Sequence, residues 1–132
     1  MIRSRGHCNT MGTASTMNSL AEALGMTLPG SAAIPAPYRD RQEMAYMMGR
    51  RIVEMVWEDL KPRDLVTSRS VDNAIRVLMA LGGSTNGIVH LAAIAGRLGL
   101  RVDLAELDGL SRSTPGRGAG PSCHRTPRRR LP

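Results

Sequence analysis

One thiol in this sequence stands where it could do chemistry. The run Gly6-His7-Cys8-Asn9-Thr10-Met11-Gly12-Thr13-Ala14-Ser15-Thr16-Met17 places Cys8 in a glycine-flanked, hydroxyl-rich loop leading toward the start of a helix. Backbone amides and the positive end of a helix dipole stabilise a thiolate, the form that binds metal or attacks carbon. One cysteine cannot hold a metal alone, because zinc and iron–sulfur sites want about four ligands. The nearby hydroxyls could bind a polar ligand. A second constellation, Ser84-Thr85-Asn86, follows Gly82-Gly83. These residues read either as a helix cap or as hydroxyls and amides that bind a substrate carboxylate or hydroxyl. His7 and His90 are expected to be packed, hydrogen-bonded side chains rather than ligands.

The pattern around these residues is helical. Met17, Leu20, Ala21 and Leu24 recur at the spacing of one helix face from about Ser15, and Gly25 can close that helix. Leu28-Pro29-Gly30 turns the chain, and Ala33-Ile34-Pro35-Ala36-Pro37 is an extended connector. A long helix is expected from about Tyr38 or Asp40 to Leu60. Its stripe of Met44, Met48, Ile52, Met55 and Val56 reads as core. Lys61-Pro62 ends it, and Asp64-Leu65-Val66 reads as a short connector. Thr67, Ser68 and Ser70 are candidate caps for a helix over Val71–Leu81. Gly82-Gly83 breaks that helix, and the next spans about Gly87–Leu98 with Ile88, Leu91, Ala92 and Ile94 or Ala95 inward. Residues 100–107 are expected to be extended or to form a short helical turn.

Length and composition narrow the function. The 132 residues, 14.2 kDa, leave room for one domain. No apolar run approaches the roughly 18 residues of a membrane span, which excludes a transmembrane helix. No hydrophobic stretch follows Arg3 and Arg5, so a secretion signal is not expected and a reducing cytoplasm is. The net charge of +7 is unevenly spread. Residues 1–112 carry 13 Lys and Arg against 11 Asp and Glu, whereas residues 113–132 carry five Arg and no acid. Nucleic-acid binding is therefore disfavoured for the folded part, which shows no basic face and few aromatics. The tail from Ser113, rich in Arg, Gly and Pro, buries too little to offset its chain entropy and is expected to be disordered.

Two long stretches carry a resemblance. Gly6 to Ala45, including Leu20-Ala21-Glu22-Ala23-Leu24-Gly25-Met26-Thr27-Leu28-Pro29-Gly30-Ser31, is similar to the IlvD/Edd family of dehydratases. Asn73-Ala74-Ile75 and Leu81-Gly82-Gly83-Ser84-Thr85-Asn86-Gly87-Ile88-Val89-His90-Leu91 match the same family in the same order. The resemblance covers about residues 6–112. The form Cys8-Asn9-Thr10-Met11-Gly12-Thr13-Ala14-Ser15-Thr16-Met17 looks most like the sugar-acid branch.

The resemblance implies a hydro-lyase that removes water from a polyhydroxy acid. The substrate would be an aldonic acid such as arabinonate or xylonate, or a 2,3-dihydroxy acid of branched-chain amino-acid synthesis. It implies an iron–sulfur cluster, [2Fe–2S] or [4Fe–4S], with Mg²⁺, and a homo-oligomer. In such enzymes a cluster iron polarises the leaving hydroxyl while a base removes the proton alpha to the carboxylate. Cys8 falls on the last of three cluster cysteines, and Ser84, Thr85 and Asn86 become candidate substrate contacts. The other two cysteine motifs, the Mg²⁺ ligands and the serine base have no counterpart here, and Cys123 matches no family motif. The expected architecture is therefore mainly α, a helical segment excised from the α/β N-terminal domain of the family and inactive alone. The change of composition near Pro115 is of the kind a reading-frame change in GC-rich coding sequence produces. The alternative reading is a small basic helical protein whose Arg128-Arg129-Arg130 tail binds nucleic acid non-specifically, weakly and with strong salt sensitivity.

Overall fold

The computed structural model describes residues 10–116, and among them the chain is helical with no strand. Helix α1 covers Thr13–Ala23, two residues earlier than the periodicity suggests. The Gly12 carbonyl accepts from the Thr16 amide at 3.0 Å, which draws Thr13 and Ala14 into the first turn. Leu24 caps the helix, and Gly25 reverses the chain at φ +80, a conformation glycine adopts without steric cost.

Beyond this turn the Glu22 carboxylate reaches back across the connector. It accepts from the Gly30 and Ala32 amides, each at 2.7 Å, and so pins the short 3₁₀ turn Ser31–Ala33 against α1. Ser31 is buried there, and its hydroxyl donates to Thr27 Oγ1 at 3.0 Å. The carboxylate stands at amides that would otherwise lack partners, as an anion does at a helix start.

Helix α2 runs Arg39–Trp57 and corrects the reading of its stripe as core. Met44, Met48 and Met55 are half-buried, but Ile52 and Val56 are exposed and no residue of α2 is fully buried. The described residues offer too little neighbouring surface to cover a helix that is apolar over more than half its circumference. After Trp57 the backbone turns at Asp59, φ +53, with the Leu60 amide bonded to the Met55 carbonyl at 2.9 Å. The expected connector is in part a one-turn helix, α3, at Pro62–Leu65. Pro62 sets the helical φ at its first position, and Asp64 Oδ2 accepts from the Lys61 amide at 2.9 Å.

Helix α4, Ser68–Leu81, is capped by reciprocal bonds between Thr67 and Ser70. Its Val71, Ala74, Ile75 and Leu78 are buried along one stripe. Gly82 ends it at φ +61, and the Gly83 amide bonds the Leu78 carbonyl at 3.0 Å. Helix α5, Asn86–Arg97, buries Gly87, Leu91 and Ala95, with Ile88 and Ile94 packed beside them. Ala92 is exposed, contrary to the inward reading, and so is His90. At 100° per residue they fall on opposite flanks of the Leu91–Ala95 stripe.

Helix α6, Leu104–Ser113, replaces the short turn expected near Leu107. Asp103 caps it by accepting from the Ala105 amide at 2.9 Å, and Leu107 enters the core. The expected disordered tail thus begins too early at Ser113, because Ser113 closes α6 and the Thr114 hydroxyl bonds the Leu110 carbonyl at 2.6 Å. Residues 117–132, with Cys123 and the arginine run, lie outside the described residues. The closely packed pairs are α1 with α4 and α5, α4 with α5 and α6, and α1 with the 3₁₀ turn. Leu20, Leu24, Ile75, Leu78 and Leu91 form the centre of the core they share.

Candidate functional site

The two sequence motifs meet. The first turn of α1 and the segment between α4 and α5 lie side by side, joined by neutral hydrogen bonds. Buried Thr16 accepts the Ser84 amide on its Oγ1 at 2.9 Å. Thr13 Oγ1 lies 3.3 Å from Ser84 Oγ and accepts from Asn86 Nδ2 at 2.9 Å. Ser84 Oγ also accepts the Asn86 amide at 3.3 Å. No charged side chain takes part in these bonds.

Close approach of the two segments depends on glycine. A Cβ at Gly83 would stand 2.8 Å from Leu78 Cδ1 and 2.9 Å from Thr16 Cγ2. One at Gly87 would stand 3.0 Å from Leu78 Cδ1 and 3.2 Å from Leu20 Cδ1. The Gly-Gly-Ser-Thr-Asn-Gly sequence therefore reads as a packing requirement at its glycines and a bonding requirement at its serine and asparagine.

Of the three candidate residues on this segment, two are turned to the protein. Ser84 and Asn86 spend their side chains on Thr13 and on the start of α5. The Gly87 and Ile88 amides already bond the Ser84 and Thr85 carbonyls, at 2.9 and 3.1 Å. Thr85 is exposed and makes no capping bond with its side chain. Cys8 and His7 lie outside the described residues, five and six positions ahead of the first residue of α1. Sequence reasoning missed that Thr13 and Thr16 are the partners of Ser84 and Asn86. The signal available was the need of α1 for a hydroxyl at a position its helical periodicity sends into the core.

A groove of about 640 Å³ runs along the adjoining side of α1. Met11, Ser15, Asn18, Ser19 and Glu22 line it from α1 and the residues ahead of it, with Val77 and Leu81 from α4.

This arrangement of two motifs in register has close parallels. The family described as dihydroxy-acid/6-phosphogluconate dehydratase N-terminal matches residues 1–116. The chain belongs to this dehydratase family. It is 56% identical over 99 residues to the D-xylonate dehydratase of Caulobacter vibrioides, covering 75% of this chain and 17% of that protein. It is 56% identical over 115 residues to the L-arabinonate dehydratase of Rhizobium leguminosarum bv. trifolii, covering 87% and 20%. It is 52% identical over 110 residues to a dihydroxy-acid dehydratase of Methanospirillum hungatei, covering 83% and 20%. The chain thus spans about a fifth of the length of the curated relatives it matches.

Cofactor chemistry has little support among the described residues of this dehydratase segment. No group of three or more His, Cys, Asp and Glu side chains is placed there to hold a metal ion. The described residues alone therefore do not fit an iron–sulfur or Mg²⁺ site. They form a neutral platform of hydroxyls, one amide and closely packed glycines. No helix among them is long and apolar enough to cross a membrane.

Proposed function

We propose that this chain is the segment of a cytoplasmic hydro-lyase that carries one cluster thiolate and part of the substrate pocket, and that the whole enzyme dehydrates a polyhydroxy acid. An aldonic acid is the preferred substrate class, supported by the D-xylonate and L-arabinonate dehydratases at 56% identity. The observation that carries the reading is the bonded junction of Thr13 and Thr16 with Ser84 and Asn86. It unites the two stretches that resemble the family, and it fixes the start of α1 five residues after Cys8 in the sequence.

In this reading Cys8 is one ligand of an iron–sulfur cluster that acts with Mg²⁺ in a homo-oligomeric enzyme, and the remaining donors come from the other four fifths of the family polypeptide. This chain's described residues have a simpler task. Thr13 and Asn86 hold the start of α5 against α1, and Thr16 holds the Ser84 backbone. Thr85 is the hydroxyl of the three left to meet a substrate hydroxyl or carboxylate, with Ser84 and Asn86 positioning it.

The test is a chimera in which residues 1–116 replace the matching segment of the Caulobacter vibrioides D-xylonate dehydratase. The expected protein dehydrates xylonate or arabinonate in preference to a 2,3-dihydroxy acid. Cys8→Ser removes its visible absorption, its iron and its turnover, and Thr85→Val raises KM more than it lowers kcat. The isolated 132-residue chain shows no turnover. A metal-loaded chimera that dehydrates neither class of acid, or a Cys8→Ser chimera that keeps iron and activity, overturns the reading.

A further inference from the structure

The long helix α2 presents an apolar face that the other described residues do not cover. Trp57 is 85% exposed, Val56 73% and Tyr46 68%, and Ile52 and Val53 are also more than half exposed. At 100° per residue these five fall on one side of the helix, with Ala45 and Gly49 between them. Together they present on the order of 500 Å², given about 150–250 Å² for a fully buried aromatic and less for an aliphatic. That is at the upper end of the largest patch an ordinary monomer exposes, and such patches are often functional.

The face has shape as well as area. Gly49 has nothing within 4 Å of where its Cβ would stand, and it opens a groove of about 520 Å³ lined by Tyr46, Gly49, Arg50, Val53 and Glu54. A side chain of a facing element can seat in that notch. Arg50 and Glu54 line one side of this groove, and Arg51 bonds Glu54 at 3.2 Å and Glu58 at 2.7 and 2.9 Å. The occupant is accordingly apolar where it meets Ile52, Val53, Val56 and Trp57 and polar where it meets Arg50 and Glu54. A membrane surface is a poor fit, because α2 carries Asp40, Glu43 and Glu54 against Arg39, Arg41, Arg50 and Arg51, with Glu58 at its C-cap, and so lacks the large cationic excess of interfacial helices.

We infer that the Tyr46–Gly49–Val53–Trp57 face of α2 docks the part of the family polypeptide that lies outside the matched segment. The inference rests on membership of the dehydratase family, whose curated relatives are about five times as long as the stretch they share with this chain. Area separates this occupant from a second copy. A stable dimer needs about 800 Å² from each partner, more than this face offers. Docking within one polypeptide avoids the loss of translational and rotational freedom that association between molecules must overcome, so a smaller patch suffices.

Hydrogen–deuterium exchange over residues 44–57 tests the inference, in the isolated 132-residue chain and in the chimera with the Caulobacter vibrioides enzyme. The expected result is at least tenfold slower exchange in the chimera, with the isolated chain sedimenting as a monomer. The double variant Val53→Glu, Trp57→Glu is expected to abolish that protection in the chimera while shifting the thermal midpoint of the isolated chain by less than about 2 °C. Equal exchange in the two proteins overturns the inference. So does an isolated chain that sediments as a dimer with residues 44–57 already protected, which would assign the face to a second copy. A chimera that is protected but inactive supports the docking and sinks the dehydratase reading. An active chimera with an unprotected α2 does the reverse.

Discussion

Helices α1 and α2 are neighbours in sequence and opposites in energetics. α1 is short and has only two large apolar side chains, Met17 and Leu20, yet it sits at the centre of the packing, with Thr16 and Leu20 fully buried. α2 is the longest helix among the described residues and rich in methionine, yet none of its residues is fully buried. The number of large apolar side chains therefore says little about which helix forms the core. What matters is which helix finds partners within reach, and α1 has α4, α5 and the 3₁₀ turn, whereas α2 is not among the closely packed pairs. The candidate site follows the same division, because the bonded junction belongs to α1 while the unpartnered face belongs to α2.

The sharpest way to break this contrast is to open the core. Leu20→Ala removes a fully buried side chain at the junction of α1, α4 and α5, and is expected to cost about 3 kcal/mol, within the usual 2–5 for such truncations. In a domain this small that is a large fraction of its stability, and urea titration followed by far-ultraviolet circular dichroism reads it directly. Next comes overpacking. Gly83→Ala puts a methyl 2.8 Å from Leu78 Cδ1 and 2.9 Å from Thr16 Cγ2, and is expected to cost about 1–3 kcal/mol in the same titration. Gly87→Ala meets slightly longer contacts and costs less. Thr16→Val keeps the shape but leaves the Ser84 amide without its acceptor, a loss of about 1–2 kcal/mol.

The smallest effects are expected on α2. Ile52→Ser and Val56→Ser in the isolated chain stay within about 0.5 kcal/mol, since both side chains already face water. Acid touches this helix through Glu58, whose carboxyl the bonded Arg51 guanidinium holds below the usual carboxylate range. A group depressed in the folded state adds stability above its ordinary pKa and loses it as pH falls through the lowered value. Wild type and Glu58→Gln should therefore differ slightly at neutral pH and converge at low pH, in thermal melts at low salt. A larger loss from any α2 substitution than from Leu20→Ala would invert the comparison.

Much of this architecture was legible in the sequence because helix signals are local. Gly25, Gly82 and Gly99 mark helix ends where the backbone turns to positive φ, and Thr67 with Ser70 marks a start. The period of Val71, Ala74, Ile75 and Leu78 alone names the buried side of α4. The errors arose where a distant neighbour decides. α3 and the full length of α6 depend on weak caps at Lys61–Asp64 and at Asp103, and the burial of the methionine stripe depends on elements that are not beside it. The candidate site divides the same way. Ser84, Thr85 and Asn86 stood out as a cap or a ligand-binding set, but only the fold brings Thr13 to Ser84 and Asn86 across 71 and 73 positions of chain.

Residue order alone settled the helical class, the main helix boundaries and the dehydratase family, because capping, periodicity and motif spacing operate within a few residues of each other. Tertiary packing decided which hydroxyls are spent on the protein and which, at Thr85, remains outside. It also decided that α1 is buried while α2, with more large apolar side chains, is not. Burial and hydrogen-bond partnership are properties of surfaces brought together, and no stretch of sequence carries its partner's surface within it.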